Sequence, residues 1–94
     1  MGTPSLVKQP AENRLYSMEF APLLAHGETI ASVSSVVSSP AGLTAVGAPA
    51  VSTTQAQQRF SGGTAGVTYK VTFVVVTSAS NTLEGEGNLV VRDI

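Results

Sequence analysis

Residues 67–77 read VTYKVTFVVVT, with the large apolar side chains at every second position. Val67, Tyr69, Val71, Phe73 and Val75 share one face, and Thr68, Lys70 and Thr72 share the other. A period of two belongs to a β-strand with one buried face; a helix would scatter these residues around its axis. The polar turn SASNT follows, and LEGEGNLVVRD returns. There Leu83, Gly85, Gly87, Leu89 and Val91 share a face, while Glu84, Glu86, Asn88 and Arg92 point away. The two runs predict a β-hairpin.

Upstream segments read the same way. In RLYSMEF, Tyr16, Met18 and Phe20 alternate with smaller or polar residues. APLLAHGE is a bend, interrupted by Pro22 and loosened at Gly27. Residues 29–37 (TIASVSSVV) are β-branched and serine-rich with imperfect alternation, which predicts a strand carrying a bulge. SSPAG is a turn, and LTAVGAPAVS is a strand weakened by Gly47 and Pro49, placed at a sheet edge. TTQAQQRFS is a polar strand with one large anchor, Phe60. About seven short strands without a helix predict an all-β sandwich.

The chain has 94 residues, room for one domain. Residues 14–94 are assigned to it. Residues 1–13, with Pro4 and Pro10, read as an extended N-terminal arm. Charged residues make up 12% of the chain, about half the usual share, and suit a surface embedded in an assembly. A net charge of −1 carries no electrostatic footprint for nucleic acid. The absence of cysteine excludes disulfides and thiolate metal sites. No apolar run approaches a membrane span, and residues 1–13 lack the apolar stretch of a secretory signal. The opening MGTPSL has Leu6 where a myristoylation pattern wants a hydroxyl residue.

The glycine-rich SGGTAG, with Gly62, Gly63 and Gly66, raises the question of a phosphate loop. It lacks the P-loop lysine, misses the dinucleotide spacing, and precedes a β-run where a helix is needed. A corner between two sheets explains it better. Gly63 and Gly66 make the turn, and Tyr69 fills the core edge while its hydroxyl bonds back to the corner backbone.

Catalytic sets are poorly supplied. His26 and Asp93 are the one histidine and the one aspartate, and no nucleophile elbow surrounds any serine. His26 and Glu28 make two potential metal ligands, too few for a site. Glu84 and Glu86 share a face opposite the apolar one, so they read as solvated, with an acidic docking patch as the sharper alternative. Val74, Val76 and Val90 project from the polar sides of the hairpin and form a candidate protein-contact patch. No cofactor is expected.

The segments HGETIAS, SSPAGLTAV and FSGGTAGVTYKVTFVVVTSASNT resemble small immunoglobulin-like proteins of tailed-bacteriophage virions. The resemblance covers roughly residues 14–92 and is strongest at SGGTAGVTYKVT. Val36 and Val37 stand where many members carry an aromatic residue. It implies an immunoglobulin-like or fibronectin III-like sandwich and a non-enzymatic virion structural protein. Such a protein would contact other virion proteins, as a homo-oligomer within the particle. Head decoration is the first expectation. The alternatives are a neck, head–tail connector or tail accessory protein, or a module binding host surfaces or carbohydrates. Two tyrosines and no tryptophan supply sugar stacking poorly.

Overall fold

A computed structural model describes residues 5–93, and the alternating runs form two packed sheets. The strands are β1 (Ser5–Lys8), β2 (Arg14–Glu19), β3 (Ile30–Ser39), β4 (Leu43–Ser52), β5 (Gln55–Gly62), β6 (Thr68–Thr77) and β7 (Thr82–Val91). One 3-10 turn, Ala21–Leu23, follows β2 where Pro22 stops the pairing. The four-stranded sheet has the order β1-β7-β6-β3, and the three-stranded sheet β2-β5-β4. Neighbours are antiparallel except β1, which runs parallel to β7. The chain is an all-β, two-layer sandwich.

The core lies between the sheets, and the period-two residues fill it. Tyr69, Val71, Phe73 and Val75 of β6 are buried, as are Leu89 and Val91 of β7. The other sheet contributes Tyr16, Met18, Ala56 and Phe60, with Phe20 just beyond β2. Tyr16 stacks on Phe73 across the sandwich at 6.0 Å and 26°, and meets Phe60 edge-on at 6.5 Å and 84°. Burial pushes the Tyr16 phenol above its ordinary pKa. The aromatic centre therefore comes from β2, β5 and β6. On β3, Val36 faces inward half-buried, and Val37 faces outward, 57% exposed.

Irregular strands explain the irregular patterns. β3 slips register twice against β6, between Ile30 and Ser32 and between Val33 and Ser35. Each extra residue flips the face, so Ile30, Val33 and Val36 face the core at a spacing of three. β4 ends its sheet and is interrupted between Val46 and Ala50. Opposite that bulge, the buried Gln58 amide donates to the carbonyls of Val46 and Gly47, both at 3.1 Å, and of Arg59 at 3.0 Å. Carbonyls that the broken ladder leaves over are thus paired from inside the core. Phe60 is accordingly one of three inward residues on β5, with Ala56 and Gln58.

The expected arm is corrected in part: residues 1–4 lie outside the described residues, and Ser5–Lys8 belongs to the sheet. Within residues 1–13, Ser5–Lys8 is a strand, registered on Asn88 to Val91, and the amide of Arg92 donates to the Lys8 carbonyl at 2.9 Å. Lys8 itself is 1% exposed. A lysine facing inward hides this strand from a hydrophobic pattern.

Gly85 is a packing position. A Cβ there would lie 2.9 Å from two ring carbons of Phe20 and 3.2 Å from Met18 Cγ. Because the Phe20 ring is fully buried, it has nowhere to retreat. Gly85→Ala is expected to lower stability by about 1–3 kcal/mol in urea denaturation, with an unchanged m-value. Removing residues 1–8 is expected to lower the melting temperature, because β7 loses its edge partner and the Gly62 carbonyl loses the Lys8 ammonium. An unchanged melt would show that β1 adds nothing to the fold.

Candidate functional site

Among the described residues no pocket is enclosed and no group of three metal-ligating side chains converges. The candidate sites are therefore the two ends of the sandwich and its outer surfaces.

At one end the chain passes from β5 in one sheet to β6 in the other. Gly62, Gly63 and Gly66 all have positive φ there, +74°, +95° and +88°. At Gly63 a Cβ would also strike Val91 Cγ2 at 2.8 Å, so both conformation and space require glycine. The Gly63 amide donates to Gly42 of the neighbouring turn at 3.1 Å, and the Gly66 amide to Val91 at 2.8 Å. Tyr69 is buried beneath this corner, and its hydroxyl accepts a hydrogen bond from the Thr64 amide at 2.9 Å. The glycines serve backbone geometry, and a strand follows them, so no helix terminus is present to hold an anion.

Lys8 completes this end, and the sequence reading missed it. Its ammonium donates to the carbonyls of Gln9 at 2.6 Å, Pro10 at 3.4 Å and Gly62 of the corner. Burial pushes it below its ordinary pKa, against the opposing pull of Glu12 and Tyr69. The one available signal was its position: a lysine two residues after Leu6, in step with the inward face.

The opposite end is held by Glu28. Its carboxylate accepts from the Ala25 amide at 2.8 Å, the Asn81 side chain at 2.9 Å and the Thr77 hydroxyl. Thr77 Oγ1 in turn accepts from the amides of Ala79 and Asn81, at 3.3 and 3.1 Å. Glu28 therefore ties the loop before β3 to the β6–β7 turn. These bonds, Thr77 first, hold its carboxyl below the usual value.

The sequence-derived candidates separate along the strands. Exposed His26 lies near the Thr77 end of β6, and exposed Asp93 follows β7 near the Thr68 end. Nine residues of extended strand, about 30 Å, lie between those ends, so the two cannot share a reacting atom. Glu84 and Glu86 are exposed on the outer sheet face, where Glu86 lies 3.6 Å from Lys70. That pair is open to solvent and contributes little. Val74 stands opposite Glu84 and Ser35, and Val76 opposite Thr82 and Ser32. Val90 stands opposite Thr68 and Val7. Six residues of β6, about 20 Å, separate Val74 from Val90's partner, so the structure does not bring the three valines together.

A family model described as podophage GP4 fiber-tail adaptor protein gp77 matches residues 8–90, and the chain belongs to that family. It is a structural component of a tailed-phage virion, and the family turns the first expectation, head decoration, toward the tail. No individual curated protein matches the chain.

Tyr69→Phe keeps the ring and removes the acceptor for the Thr64 amide. It is expected to cost about 1 kcal/mol, against about 3–5 kcal/mol for Tyr69→Ala, measured by chemical denaturation. Glu28 generates a pH prediction. Its folded pKa lies below the ordinary 4.5, so between the two values the unfolded chain holds more protons. Its contribution is complete above the ordinary value and is lost as pH falls through the folded one. Glu28→Gln is expected to reduce the slope with which the melting temperature falls as pH drops below the ordinary value of 4.5. Glu19, whose carboxyl is also held low, first by Thr54, accounts for part of the slope that remains.

Proposed function

We propose that this chain is a non-enzymatic adaptor of a podophage tail, holding a fibre to the tail by protein–protein contacts. The observation that carries this reading is the reach of the family match. Residues 8–90 run from the last residue of β1 to within one residue of the end of β7, so nearly the whole folded unit is the family unit. The structure supplies what such a part needs, a small rigid body with several strand faces and loop ends open to neighbours.

The immunoglobulin-like reading has its own support. Lettered A to G in chain order, the sheets read A-G-F-C and B-E-D. That is the immunoglobulin grouping with the first strand moved beside the last. Tyr69 at the start of the sixth strand, bonded back to the corner, agrees with it. The carbohydrate-binding alternative is weakened because both tyrosines and all three phenylalanines are committed to the core.

Particles assembled without this chain are expected to carry tails but lack fibres, and to regain fibres when purified protein is added. Electron microscopy reads both outcomes. Fully fibred particles, or density for the chain on the head lattice, would reject the proposal.

A further inference from the structure

We propose that the rim formed by β3 and β4 is an interface on which a second copy of this chain docks. These two strands end their respective sheets and are joined directly by the turn at residues 40–42. Ala45 stands opposite Phe60, and Val51 opposite Ala56. Opposed residues share a face, so both point toward the core side of their sheet. Both are nevertheless exposed, Val51 by 41%. On β3, Val33 and Val36 share that layer and are half-buried, while Val37 flanks it on the outward face of the same edge strand, 57% exposed. The sandwich leaves its apolar layer open along this side.

The rim is also without charge. Residues 29–58 hold no Asp, Glu, Lys, Arg or His. The opposite rim is different: β1 is four residues long, β2 carries Arg14 and Glu19, and Glu12 lies 3.7 Å from Arg14. Short strands and charges are the usual guards of an exposed sheet edge. One rim has them, while the other has only bulges and Pro49.

The neutral rim favours its own copy. It presents no like charge to an identical surface, and a two-fold axis makes each apolar position meet the same layer on the partner. Within the two rim strands a charged partner would find nothing to pair with. Two ten-residue strands about 34 Å long, in layers about 10 Å apart, frame a strip of roughly 340 Å² between backbones; the side chains on either flank enlarge it, still below the ~800 Å² per copy of a standard interface.

Light scattering on the purified chain at micromolar concentration tests this. Twice the chain mass of 9.6 kDa is expected. Val51→Lys and Val37→Lys change exposed side chains and are expected to keep the circular dichroism and melt of a folded domain. Each is expected to weaken the dimer at least ~10-fold. Leu15→Lys, at a residue 41% exposed on β2, is expected to leave the dimer intact. A wild-type monomer, a dimer insensitive to both rim variants, or equal loss in Leu15→Lys overturns the proposal. So does a monomer that gains mass only with another tail protein, which assigns the rim to that partner. The readout is the mass of the isolated chain, so it stands apart from fibre attachment.

Discussion

The hydrogen bond from the Thr64 amide to the Tyr69 hydroxyl marks the place where the chain changes layers. A sandwich of this size has one thin core, and the crossing between its sheets exposes backbone at the core's edge. Here the exposed groups are gathered into a single knot. Tyr69 fills the edge with its ring, the glycines supply the left-handed turns, and the Lys8 ammonium collects the carbonyls that remain. Gly42 brings the β3–β4 turn into the same knot, because a Cβ there would press the Tyr69 hydroxyl at 3.0 Å. Three segments distant in sequence thereby share one fixed point.

Much of this fold was legible in the sequence, for a definite reason. β2, β6 and β7 bury one face and wet the other, so their pattern is a direct record of their geometry. The glycine corner was legible because a strand follows it, and Tyr69 stands at the spacing such a corner uses. β3 was harder to read: two bulges replace the period of two by a spacing of three. β1 and Gln58 were hidden by chemistry, since a lysine and a glutamine facing inward look like surface residues until their carbonyl partners are known.

Function was legible only to the level of a structural part. His26 and Asp93 are the residues a catalytic reading would have to use, and the strand lengths hold them apart. The valines on the outer face looked like one patch because alternation tells which side a residue takes but says nothing about which rung it occupies. Register supplies that, and it depends on where the turn at residues 78–81 closes the hairpin. The distinction between head and tail has no motif at all. The family match alone turns the reading toward the tail.

The parallel pairing of β1 with β7 has a mechanical consequence. Tension applied where the chain enters β1 and leaves β7 pulls these neighbours in opposite directions along their length. The rungs between them are then strained together, in shear, and cannot open singly as in an unzipping hairpin. A pull along that line is therefore resisted by all of those bonds at once.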